Sequence, residues 1–314
     1  MTDTNVHDAW NAFWEHQSRG PAAASGQKPG RGTGCLPDGW QGIEDTRGAR
    51  WKKFAATLPR NAKLLDLASG DGIVMTQVMA ARRDIKPVGI DLATALPPAP
   101  RGAKLRGGVS MENLPFGDNQ FAVVTSQFGF EYGRIDRIAA EIARVLRPAG
   151  QLALMTHRID GPIVAHNRKR REQLRWALEE QQLLGIAKRS LALRGAGIAA
   201  IPVQIIEAPE KGAALHGPSS AAWEIAEAIR RTLHLGRQDA APRVASILDD
   251  IANQAENELG RIASLELAAE AASDRETVVA VLAAAGLELE REEPLLDGRA
   301  PMPFADFRVY KRTA

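Results

Sequence analysis

Cysteine is nearly missing from this sequence: Cys35 stands alone among 314 residues. That excludes an internal disulfide and any cysteine-rich metal centre, and no metal-ligating set is expected. Long apolar runs are missing too, none approaching the roughly 20 residues needed to span a bilayer. The opening stretch, Met-Thr-Asp-Thr-Asn-Val-His-Asp, lacks the basic and apolar regions of a secretory signal. A cytoplasmic protein with no membrane partner is the expectation. Charge of one sign is scarce as well. A formal net charge of +2 is too small to imply a nucleic-acid partner by itself. What is present is ordinary for a globular chain: 45% hydrophobic and 25% charged residues, in a length that suits one large domain or a domain with an insertion.

The most informative stretch is Lys63–Val74, Lys-Leu-Leu-Asp-Leu-Ala-Ser-Gly-Asp-Gly-Ile-Val. An apolar run ends at Asp66, a small-residue turn passes through Ala68, Ser69, Gly70 and Gly72, and a helical pattern begins. Strand, tight loop and helix N-terminus together make a site for a polar ligand. Gly70 and Gly72 let backbone approach that ligand without a Cβ in the way. A second strand at Lys86–Leu92 ends in Asp91, one strand–helix–strand unit further on, where an acid reaches ribose hydroxyls in nucleoside-binding folds.

Asp66, Ala68, Gly70 and Gly72 resemble the D-x-G-x-G-x-G cofactor loop of class I S-adenosylmethionine-dependent methyltransferases, with Ala68 in place of the first glycine. Two later stretches resemble the same family. Val109–Tyr132 carries Leu-Pro-Phe at 114–116 and a strand at Phe121–Ser126, and Arg147-Pro-Ala-Gly150 separates a helix from a fifth strand ending at His157. The resemblance implies a Rossmann-like α/β fold, with a mostly parallel seven-stranded sheet whose last strand is antiparallel. It implies S-adenosyl-L-methionine as cofactor, leaving as S-adenosyl-L-homocysteine. Its binding residues would be Asp66, Ala68, Ser69, Gly70, Gly72, Asp91 and Leu92, then Ser110, Met111 and Glu112 near adenine, and Gln127 and Phe128 where cofactor meets substrate. Ser110 stands where the family often has an aspartate.

Residues 1–59 read as N-terminal helices and a mobile loop, Ser18–Gly42 being rich in Gly, Pro and Ala. Trp10 and Trp14, at helical spacing with Val6 and Phe13, are candidates to wall a substrate pocket, since a sulfonium is drawn to aromatic faces. Residues 60–159 and 272–314 make the core. Residues 160–271 form a helical insertion, basic in its first part and acidic in its last, expected as a substrate cap or a homodimer contact with solvated charged faces.

The chemistry implied is methyl transfer to a small or medium-sized metabolite. His157 is a candidate general base, because its ordinary pKa lies near neutrality. Tyr132 is a second catalytic candidate, and Glu131 a candidate substrate contact. A nicotinamide-dependent oxidoreductase would want G-x-G-x-x-G, and Met75 occupies the third glycine's place. RNA or protein methylation, and a non-catalytic binding or assembly role for the same fold, are the other readings. No aromatic stacking run accompanies the basic helix, which weighs against nucleic acid.

Overall fold

A computed structural model describes residues 10–11, 13–15, 40–194, 200–298 and 301–313. The chain divides into two compact units, residues 1–164 with 264–314, and residues 165–263.

The first unit is built on seven strands in the order β3-β2-β1-β4-β5-β7-β6. They are β1 (Leu64–Leu67), β2 (Val88–Ile90), β3 (Lys104–Arg106), β4 (Phe121–Gln127), β5 (Leu146–His157), β6 (Leu287–Leu295) and β7 (Ala305–Arg312). The first five pair in parallel, and β7 runs antiparallel between β5 and β6. This is the Rossmann-like sheet that the sequence implied, with its reversed last strand.

Side chains alternate across the sheet. Leu64, Val123, Ala153, Phe307 and Val309 face one core, shared with Trp51 and Phe54 of α1 (Gln41–Ala56) and Val74 and Val78 of α2 (Ile73–Ala81). Leu65, Leu67, Val124, Leu152 and Leu154 face the other. There they meet Ile138 and Ile142 of α3 (Ile135–Val145) and Val278 and Leu282 of the helix Arg275–Ala284. In α1 the buried positions Ile43, Arg47, Gly48, Arg50, Trp51, Phe54 and Ala55 recur at three- and four-residue spacing, which makes a single inward stripe. The Asp274 side chain caps the Arg275–Ala284 helix by accepting from the Thr277 amide.

One boundary differs from expectation. The Arg147-Pro-Ala-Gly150 turn expected between helix and strand is instead part of β5. Leu146 pairs with Phe121 and Gln151 with Val123, so the extra residues form a bulge, and Ala149 takes a left-handed φ of 60° there.

The second unit is helical. It holds most of the helices Pro162–Arg175 and Ala241–Ser273, with a π-turn at Trp176–Glu180 and the helices Leu183–Leu193, Val203–His216 and Ala221–Leu235. Trp176, Leu183, Ala187, Ile205, Ile229, Leu233 and Leu248 belong to a core of its own. The basic and acidic runs meet within it: Arg170 pairs with Glu258 at 2.6 Å and Lys188 with Asp249. No helix among the described residues is long and apolar enough to cross a membrane.

Candidate active site

The chain leaves β1 toward β2 and β3 on one side and later adds β4 and β5 on the other, so the loops after β1 and β4 diverge. That divergence opens a crevice at the carboxyl ends of the strands, the usual ligand position in open α/β sheets. Asp66 lies in β1 beside Thr125 of β4 and is 1% exposed. Its Oδ1 accepts from the Thr125 hydroxyl at 2.7 Å, while its Oδ2 is buried with no hydrogen-bond partner. Burial pushes the carboxyl up to about 7. The Thr125 hydrogen bond opposes the rise, and the charges of Asp71 and Asp91 add to it.

The turn after β1 is held by its own side chains. The Ser69 hydroxyl donates to the Asp66 carbonyl at 2.8 Å and lies 3.2 Å from that of Ile90. Ala68 adopts φ 50°, a left-handed conformation that suits glycine, which explains what the family's first glycine does at this position. Gly70 has φ 51°, and a Cβ there would fall 2.4 Å from the Trp14 ring. Asp71 Oδ1 accepts from the Ile73 amide at the start of α2. Burial raises the Asp71 carboxyl to about 6, against the pull of that amide and the Arg47 charge.

Asp91, one residue past β2, binds the loop directly. Its Oδ2 accepts from the Gly70 amide and its Oδ1 from the Ala93 amide, both at 2.9 Å. The acid expected at a ribose is thus also the clamp between the first two loops. Leu92 beside it leaves its apolar side chain 41% exposed. Ser110 and Glu112 are engaged locally. The Ser110 hydroxyl accepts from the Glu112 amide at 3.1 Å. Glu112 Oε1 accepts from the Arg134 amide ahead of α3, while Met111 packs against the second core. Gln127 accepts from the Trp51 indole N–H at 2.8 Å, a tie to α1 that no local pattern announces.

At the ends of β4 and β5 a second cluster forms. Phe128 follows β4 with φ 54°, a left-handed conformation that is rare for a bulky residue. Its ring stacks on His157, centroids 4.1 Å apart and planes 25° apart. Glu131 is in the 3₁₀ turn Phe130–Tyr132 and its side chain is fully buried. Its Oε1 accepts from the His157 backbone amide and lies 2.9 Å from His157 Nδ1. Glu131, the candidate substrate contact, holds the histidine through its Oε1, because β4 and β5 are neighbours and their ends come side by side. Tyr132 meets the His157 ring edge-on at 6.1 Å. Trp10 meets Tyr132 the same way at 5.8 Å. Trp14 is 8% exposed and covers Gly70, so the two tryptophans reach different ends of the site. Most of the loop expected at Ser18–Gly42 lies outside the described residues.

Sequence reasoning missed Thr125, Trp51 and Asp71, as well as the link between Glu131 and His157. Strand ends carry a signal for the last of these, but it is readable only once β4 and β5 are known to be adjacent.

Residues 65–154 match a family model described as a methyltransferase domain. Among curated proteins none matches the chain by sequence. Among solved structures, the YcgJ protein from Bacillus subtilis is 19% identical with a TM-score of 0.34, over 42% of this chain and 59% of its own. The chain therefore spans somewhat over half of that structure's length. A chain of the complex between the Haloferax volcanii Trm112 methyltransferase activator and its partner is 14% identical with a TM-score of 0.43, over 88% of this chain and 94% of its own. Geranyl diphosphate C-methyltransferase from Streptomyces coelicolor A3(2) is 15% identical with a TM-score of 0.33, over 37% of this chain and 46% of its own. At such scores these likenesses carry no functional argument.

Proposed function

From the match of residues 65–154 to a methyltransferase-domain model, we propose that the protein is a class I S-adenosylmethionine-dependent methyltransferase that methylates a small or medium-sized metabolite. The cofactor supplies an activated methyl group on a sulfonium, which is chemistry no side chain provides. The residues present suit it. Asp66 offers a buried carboxylate oxygen with no partner, fit for an ammonium group. The Ala68–Gly72 turn brings backbone close. Asp91 stands at the end of β2, bound to the Gly70 and Ala93 amides, where an acid reaches ribose hydroxyls in nucleoside-binding folds, and the exposed Leu92 side chain offers apolar surface beside it.

The observation that carries the reading is the unpartnered Asp66 Oδ2. A buried acceptor left empty costs stability, and a donor from a ligand removes that cost. Holding cofactor and acceptor in line supplies much of the acceleration in such a displacement. Phe128, Tyr132 and His157 line the end of the site toward the acceptor in this reading, with Trp10 behind Tyr132.

Two measurements test it. Calorimetric titration with S-adenosylmethionine and with NADH is expected to show binding of the first only. Incubation with a cell extract and tritiated-methyl S-adenosylmethionine is expected to place the label in the small-molecule fraction. Label in RNA or protein instead would replace the substrate class, and binding of neither ligand would defeat the enzyme reading.

A further inference from the structure

We infer that Glu131 is a positioning residue that sets His157 as a general base, and that the methyl acceptor is therefore a group that keeps its proton at neutral pH, a phenolic or enolic hydroxyl or an ammonium nitrogen. The inference rests on the methyltransferase reading and narrows it.

Three contacts fix the imidazole. Glu131 Oε1 lies 2.9 Å from Nδ1 and accepts the backbone N–H of the same residue at the same distance, so ring and backbone are tied to one oxygen. The Phe128 ring lies stacked on one face of the imidazole. Tyr132 closes against it edge-on. A carboxylate only accepts, so a neutral imidazole facing it carries its proton on Nδ1, leaving the Nε2 lone pair for a substrate. The Glu131 side chain has no exposure and belongs to no ion pair with Arg or Lys among the described residues. The left-handed Phe128 backbone is strained, and such strain persists where the surrounding structure enforces it.

This arrangement discriminates between acceptor atoms. A thiol ionises to a good nucleophile not far above neutrality and needs an oriented base least, whereas an aliphatic ammonium group, with an ordinary pKa near 10, has no free lone pair until a base removes its proton. A phenolic hydroxyl, with an ordinary pKa near 10, likewise stays protonated at neutral pH and gains from proton removal during attack. A hydroxyl proton passes to His157 Nε2 as the oxygen lone pair forms the new O–C bond; an ammonium proton passes there first, and the freed nitrogen lone pair then forms the N–C bond. The electron pair of the breaking C–S bond stays on sulfur as a neutral thioether, and the imidazolium then yields its proton to water.

The experiment uses the full chain. Imidazole ¹⁵N NMR, with His157→Gln identifying the resonance, is expected to show the neutral ring protonated on Nδ1. A ring protonated on Nε2 overturns the proposal while leaving calorimetric binding of S-adenosylmethionine, and hence the methyltransferase reading, intact. Loss of that binding would instead remove the parent reading. With ¹³C-methyl S-adenosylmethionine and cell extract, the carbon shift of the transferred methyl is expected to be that of a methyl ether or an N-methyl amine. An S- or C-methyl signal overturns the acceptor class. His157→Gln is expected to lower kcat by about 10²–10⁴-fold. Glu131→Gln keeps an oxygen able to accept both N–H groups and loses the charge, so it is expected to lower kcat with KM and cofactor affinity unchanged. Equal losses in kcat and in cofactor affinity would mark Glu131 as merely structural and defeat its assignment.

Discussion

The two units treat charge in different ways. In the helical unit charged groups find opposite partners: Arg170 with Glu224 and Glu258, Lys188 with Asp249, Arg230 with Glu227, and Lys211 with Glu207. The sheet unit pairs some of its buried acids as well, Asp306 with Arg158 and Arg308, but near the ends of β1 and β4 Asp66 and Glu131 each bury an oxygen with no hydrogen-bond partner. Asp66 has one oxygen on a threonine hydroxyl and the other on nothing. Asp91 accepts from two backbone amides, one on each oxygen. Glu131 holds a histidine through one oxygen and leaves the other without a partner. Exposed pairs add little stability but keep a helical surface solvated. Buried, incompletely satisfied acids cost stability and are retained where a ligand or a proton has to be met. The proposed site, on this comparison, falls where buried acids are left incompletely satisfied.

The contrast is most easily broken through the support beneath the site. Trp51→Ala removes a fully buried side chain and the donor to Gln127, and is expected to cost about 3–5 kcal/mol in denaturant unfolding. A loss below about 1 kcal/mol would mean that α1 does not brace β4. Next in size is pH. A native Asp66 near 7 and Asp71 near 6 both lie above their unfolded values, so the native state binds more protons than the unfolded chain between about pH 4 and 7. Stability is therefore expected to fall as pH rises through that window and to level off above it. Asp66→Asn is expected to flatten most of the slope, worth a few kcal/mol on the order of, while weakening S-adenosylmethionine binding. Urea midpoints at several pH values, beside calorimetry, check both, and an unchanged slope would sink the idea that burial raises the Asp66 carboxyl.

Asp91→Ala frees the Gly70 and Ala93 amides. It is expected to cost about 1–3 kcal/mol and to abolish detectable cofactor binding. Retained affinity would limit Asp91 to its clamp role. The smallest effect belongs to the other unit: Lys211→Ala removes a half-exposed pair with Glu207 and is expected to change stability by less than about 1 kcal/mol. A larger loss would blur the distinction between the two regions.

Much of the sheet was legible because strand, turn and helix signals fall close together in the chain. Leu64–Leu67 with the following glycines, and Ile135–Val145 with its apolar stripe, declare themselves within a dozen residues. The Arg147–Gly150 segment misled because Pro and Gly signal a turn, whereas the register with Phe121 and Val123 absorbs them as a bulge. Among the proposed site residues, the loop acids Asp66 and Asp91 could be found by position at strand ends. The roles of Glu131, Gln127 and Thr125 could not, since each depends on a partner 26 to 76 residues away whose proximity only the strand order or helix packing creates.

That distance in sequence is longer still at β7. Its Asp306 meets Arg158, beyond the end of β5, across 148 residues, and β7 fills the gap between β5 and β6. On a ribosome adding ~5–20 residues per second, β5 therefore waits roughly 7–30 s for its neighbour. For that interval it is an open edge, apolar along Leu152–Met155, of the kind that invites pairing with another chain. The helical unit, whose core closes on itself, is complete in sequence before β7 emerges. Chaperone demand during synthesis is thus expected to concentrate on the unfinished sheet, and a stalled chain ending before Ala305 to be far more prone to aggregation than the finished one.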